Sequence, residues 1–205
     1  MSTLLLAEVE TETAPAQLVL QMLPVLNLTE DQFFDFCQLN QFWRIERTAQ
    51  QEIIVMSPLG GMSGNREAKI VTQLVIWTKQ NGTGLAFNAN TGFRLSNGAV
   101  RAPDGSWVAR ARFDALSQKD KEVFVPLCPE FVIELQSPSD RLSDLKAKMD
   151  EYIACGAKLG LLIVPVKKRV FIYRPNQPIQ QIDQAETVNC SPEMPGFELD
   201  LREIW

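Results

Sequence analysis

Residues Glu130–Pro165 read EFVIELQSPSDRLSDLKAKMDEYIACGAKLGLLIVP, and their hydrophobic period changes twice. From Glu130 to Gln136 the run is apolar apart from Glu134, as in a strand covered on both faces. From Ser139 to Cys155 the pattern predicts a helix, with Ser139 or Asp140 as N-cap and Gly156 as the left-handed residue that closes it. Leu159–Val164 is apolar again and predicts a buried strand.

Working outward from this unit, Val170–Tyr173 predicts a pairing strand after a basic turn, and Phe113–Val123 a short helix. LAFNANTGFRLSNGAVRAPDGSWVA, beginning at Leu85, reads as short strands, and Asn97-Gly98 gives the strongest hairpin signal. A helix is expected from about Ser63 to Gln80, burying Ile70, Leu74 and Trp77. FWRIERT and EIIVMSP flank Ala49-Gln50 as a hairpin, and Thr29 with Gln32 matches a capping box for a helix presenting Phe33, Phe36 and Cys37. Trp43, Trp77 and Trp107 are expected in the core. Residues 1–24 are expected to form an amino-terminal arm, with one domain over 25–205. A strand, helix and strand after antiparallel hairpins and a helix describe an α/β sandwich, a mixed β-sheet flanked by helices.

Composition narrows the chemistry. With 205 residues the chain is long enough for a substantial core, and 45% hydrophobic with 22% charged residues is ordinary for a globular protein. No apolar run is long enough to span a bilayer, and MSTLLLAEVE lacks a basic start, so no membrane association and a cytoplasmic location are expected. The four cysteines are scattered without a C-x-x-C pair, and read as reduced structural thiols. There is no histidine at all, which removes Ser-His-Asp and Cys-His catalysis together with histidine-zinc sites. A net charge of −5 does not favour a broad electropositive surface.

The remaining chemistry centres on carboxylates. Asp104, in Ala102-Pro103-Asp104-Gly105, precedes Glu134 by thirty positions, and adjacent central strands would bring the two together. A hard divalent ion such as Mg²⁺ takes one or two carboxylates with waters completing its octahedron, and the Leu135 carbonyl offers a third ligand. Gln136 or Lys148 is placed to orient a water. Glu67, on the first long helix, faces either solvent or the inner end of a cleft. The bland readings are an Asp turn at Asp104, a solvated strand end at Glu134, and an ordinary i, i+4 ion pair between Asp144 and Lys148.

The stretches GFRLSNGAVRAPDGSWVAR, PLCPEFVIELQSPSDRLSDLKAKMDEYIACGAKLGLLIVP and KKRVFIYRP together resemble the Uma-two family, in the PD-(D/E)xK nuclease superfamily, over roughly residues 28–203. The resemblance implies a restriction-endonuclease-like fold and Mg²⁺-dependent cleavage of DNA, with Mn²⁺ as a substitute ion and a homodimer as the assembly. It matches Asp104 and Glu134 to the two metal-binding acids, and Gln136 to the position where Lys normally stands. Lys148, on the following helix, is placed to project into the cleft and replace that Lys, and Glu67 sits on the first core helix, where some members of the superfamily carry a further metal-linked Glu. Val164-Pro165 stands where Asp-Pro is expected. The missing Lys leaves a second reading open: a nuclease fold with weak or lost turnover, serving as a nucleic-acid-binding or oligomeric module.

Overall fold

The computed structural model describes residues 17–205; residues 1–16 of the expected arm lie outside the described residues. Strand β1 (Gln17–Leu20) is followed by helix α1 (Glu30–Leu39), which begins at the expected capping box. The Thr29 hydroxyl accepts from the Gln32 amide at 3.2 Å, and the Gln32 side chain accepts from the Thr29 amide at 2.9 Å. Strands β2 (Arg44–Arg47) and β3 (Ile53–Met56) form the hairpin, with Arg47 opposite Ile53. Arg47 is fully buried and ties the hairpin to α1, donating to Glu30 at 2.7 Å with its guanidinium 4.8 Å from the Phe33 ring.

Helix α2 (Gly61–Asn81) ends at left-handed Gly82 and buries Ile70, Leu74 and Trp77 as expected. Strands β4 (Gly84–Asn88), β5 (Phe93–Arg94), β6 (Val100–Arg101) and β7 (Gly105–Ala109) follow, with β5 and β6 joined across Gly98. The single helix expected over Phe113–Val123 is instead two, α3 (Arg110–Asp114) and α4 (Gln118–Glu122). Ser117 interrupts it, because its hydroxyl caps α4 by accepting from the Asp120 amide at 3.1 Å.

Strand β8 (Phe131–Leu135), helix α5 (Leu142–Ala154) and strand β9 (Leu159–Val164) form the predicted unit, followed by β10 (Arg169–Tyr173), β11 (Gln180–Asp183), β12 (Thr187–Asn189) and β13 (Glu198–Asp200). Helix α5 starts later than the sequence suggests, with Arg141 rather than Ser139 or Asp140 at its N-cap. The Asp140 carboxylate is occupied in the preceding turn, where it accepts from the Ser137 amide at 2.8 Å.

The main sheet runs β11-β10-β9-β8-β7-β4, and a second sheet runs β1-β3-β2-β6-β5. The β8–β9 pair is parallel, bridged by α5, while the other neighbours in the main sheet are antiparallel. Alternation along β8 divides the core. Phe131, Ile133 and Leu135 pack with Ile70, Leu74, Trp77 and the carboxy-terminal segment, whereas Val132 faces Leu145, Met149 and Tyr152 of α5. Trp77 and Trp107 meet edge-on with ring centroids 5.9 Å apart. Trp43, also expected in the core, instead lies 52% exposed, at the turn between α1 and β2. The four cysteines are free, and burial pushes the Cys128 and Cys190 thiols up to about 12. Among the described residues no helix is long and apolar enough to cross a membrane.

One packing contact is unusually tight. A Cβ at Gly84 would overlap the Trp107 ring and the Val108 carbonyl, the latter being backbone that cannot swing aside. Gly84→Ala is therefore expected to lower stability by about 1–3 kcal/mol. Urea unfolding reads this as a lower midpoint; an unchanged midpoint would contradict the close approach.

Candidate active site

The chain enters β7 immediately after Asp104, and the antiparallel register sets Gly105 opposite Ile133. Asp104 and Glu134 thereby reach the same end of neighbouring strands. One Asp104 carboxylate oxygen accepts from the Leu135 amide at 2.8 Å, so the side chain extends the hydrogen bonding between β7 and β8 beyond Gly105, the first residue of β7. The other oxygen accepts from Arg44 at 3.0 Å, and Arg44 also donates to the Ala102 carbonyl.

Glu134 is 2% exposed and lies on the sheet face covered by α5. Lys148 and Tyr152, one helical turn apart on α5, both reach its Oε1, at 2.9 and 3.0 Å. The Lys148 ammonium also donates to Glu46 Oε1 at 2.9 Å. Glu46, likewise 2% exposed, projects from β2 and accepts from the Ala102 amide at 3.0 Å and from Arg101 at 3.3 Å. Arg101 closes the outer end of the network on Glu151 at 2.6 Å. The Asp144–Lys148 surface pair read from the spacing does not form, since Lys148 turns inward to the two buried acids, where its charge is screened far less than at the surface.

Five carboxyls, Glu46, Asp104, Glu134, Glu151 and Glu67, share three cations, Arg44, Arg101 and Lys148. The consequence is uneven. Burial works to raise Glu46, but Lys148, Arg101 and Arg44 outweigh it and hold its carboxyl well below the usual range. Glu134 moves the other way, raised by burial and by Asp104 and Glu46 against the pull of Lys148 and Arg44. Glu67 is raised to about 7 by burial and then by Asp104, so it belongs to the same electrostatic cluster.

The acids open into a cleft of about 910 Å³ whose lining includes Arg44, Glu67, Asp104, Glu134, Leu135 and Lys148. Gln136 is turned out of this group, and its amide donates to the Asp140 carbonyl at 3.1 Å. Thus Asp104, Glu134, Lys148 and Glu67 are brought together while Gln136 is not. Glu46, Arg44 and Arg101 also belong to the site and lie outside the sequence-based expectations. The signal available was Arg44-Ile45-Glu46-Arg47, a four-residue strand with three charges, which is unusual if that strand is buried.

Among the described residues no cluster of three or more acids or thiols forms a ready-made metal cage. The donor set nevertheless suits a hard cation: the Asp104 and Glu134 carboxylates offer oxygens at one end of β7 and β8, Glu67 is close enough to feel Asp104, and acids outnumber cations.

A family model described as "Putative restriction endonuclease" matches residues 30–202. Among solved structures, the chain is similar to a "putative nuclease belonging to DUF820 from Anabaena variabilis ATCC 29413". The two are 19% identical with a TM-score of 0.70, covering 87% of this chain and 97% of the other, a likeness of fold. No curated protein matches the chain.

Proposed function

The chain belongs to the Uma2 family of restriction-endonuclease-like proteins, and from that membership we propose that the cleft is a Mg²⁺-dependent endonuclease site hydrolysing DNA phosphodiesters, with Mn²⁺ able to substitute. The observation that carries this reading is the meeting of Asp104 and Glu134 at one end of β7 and β8, with Lys148 donating to Glu134 at 2.9 Å. Asp104 and Glu134 would hold the ion, with the Leu135 carbonyl as a third oxygen and Glu67 as an auxiliary acid. When bound, the ion lowers the pKa of its water and neutralises charge building on the phosphate. Lys148 takes the role for which Gln136 stands in the usual position, orienting water or phosphate with a charge that an amide lacks. Tyr152 fixes the Glu134 carboxylate. Arg44 holds the outer oxygen of Asp104, which would be shared with or yielded to a bound ion. A homodimer and a cytoplasmic location belong to the same reading.

Ion binding is measurable without any DNA. Titration calorimetry with Mg²⁺ and Mn²⁺ is expected to show binding that weakens by at least about 10- to 100-fold in Asp104→Asn and Glu134→Gln. Equal affinity in both variants would remove these ligands.

One contact favours a second reading. The Arg44–Asp104 pair at 3.0 Å already neutralises a metal-binding oxygen, as in a nuclease fold that binds nucleic acid without cutting it. Metal-independent DNA binding with no products would support that module.

A further inference from the structure

The mouth of the cleft is built from groups unlike those at its floor. Phe42 is 86% and Trp43 52% exposed, although large aromatic side chains contribute most when buried. Both line the cleft, together with exposed Leu59 and Met62. Trp43 immediately precedes Arg44, whose guanidinium touches Asp104, so the aromatic corner is continuous with the carboxylate cluster. Beside it the wall carries the exposed amides of Gln38, Gln41 and Asn90.

The charge at this mouth matters as much as the aromatics. Among the described residues lining the cleft the only cations are Arg44 and Lys148, and acids hold both. Duplex DNA carries one phosphate charge per about 1.7 Å of axis, twice the density of one strand, so it depends more heavily on free cations, and Arg44 and Lys148 are both already paired with acids. A strand with unpaired bases presents a different surface: flat π-faces that stack on aromatic side chains, and base edges open to amides. The cleft volume of about 910 Å³ is in the range of a pocket that encloses a small ligand, and suits a few nucleotides better than a double helix.

We propose that Phe42 and Trp43 form a base-stacking platform, and that the substrate entering the cleft is single-stranded or locally unpaired DNA. This rests on the nuclease reading and specifies its substrate. Stacking supplies the affinity that the paired cations do not, and the amides of Gln38 and Gln41 face the base edges. The platform then holds the strand beside Arg44 and the acids.

The test compares fluorescein-labelled oligo(dT) with the matching oligo(dA)·oligo(dT) duplex, for binding by anisotropy in EDTA and for cleavage in Mg²⁺. The full chain is used with Phe42→Ala, Trp43→Ala and Trp43→Phe, positions exposed enough to change without disturbing the core. The expected result is tighter binding of the single strand, weakened about 5- to 150-fold by Trp43→Ala and retained by Trp43→Phe. Binding or cutting of the duplex at least as well, unaffected by these variants, would overturn the platform and leave the nuclease reading intact. Failure to bind or cut either DNA would overturn both. Loss of a dimer on Trp43→Ala in sedimentation, with DNA binding unchanged, would assign the corner to a second copy and overturn the platform alone.

Discussion

Lys148→Met is expected to lower the single-turnover cleavage rate by about 10²- to 10³-fold, the range seen when one preorganised charge-stabilising donor is lost. Gln136→Ala is expected to stay close to wild type. The contrast follows from where the two side chains go. Lys148 sits within 2.9 Å of both Glu134 and Glu46, whereas the Gln136 amide is spent on the Asp140 carbonyl. Met preserves most of the volume of the lysine stem, so the loss reports charge more than packing. Rates are read per folded molecule, with near-ultraviolet circular dichroism giving the folded fraction. A slow Gln136→Ala beside a normal Lys148→Met would return the role to the position on β8.

Glu46→Ala is expected to be among the most destabilising single changes at the site, costing about 3–5 kcal/mol. Among the described residues Glu46 is the only acid in contact with both Lys148 and Arg101, and it also accepts from the Ala102 amide that leads into Asp104. Removing it leaves two buried cations short of a partner, with Arg101 kept by Glu151 and Lys148 by Glu134. Glu46→Gln keeps the volume and one acceptor for that amide and is expected to lose less. Denaturant unfolding of the three proteins checks the order, and a Glu46→Ala midpoint equal to wild type would mean the network is not holding the cleft together.

Much of the fold is legible in the sequence where local chemistry and period agree. The Thr29–Gln32 box, the Ile70, Leu74 and Trp77 stripe, and the apolar strands on either side of α5 all form as their patterns predict. The differences arise where a side chain has two local options. Ser117 caps a new helix instead of continuing one, and Asp140 satisfies a turn amide instead of capping α5. Part of the candidate site is legible for the same reason: Pro-Asp before one strand and Glu within another need only strand adjacency to meet. Glu46 and Arg101 could not be read in this way. Each looks like a solvated residue on a hairpin, and their burial depends on the second sheet closing over α5, a contact between segments more than forty residues apart. Trp43 fails in the opposite sense, since an apolar side chain carries no local mark that nothing will cover it.

The most direct test of the central claim incubates the purified protein with single-stranded, linear duplex and supercoiled DNA in Mg²⁺, Mn²⁺ and EDTA, beside Asp104→Ala and Glu134→Ala. Cuts that require the ion and vanish in both variants are the predicted result. Cuts that persist in EDTA, or in both variants, would contradict a metal-dependent site at these two carboxylates.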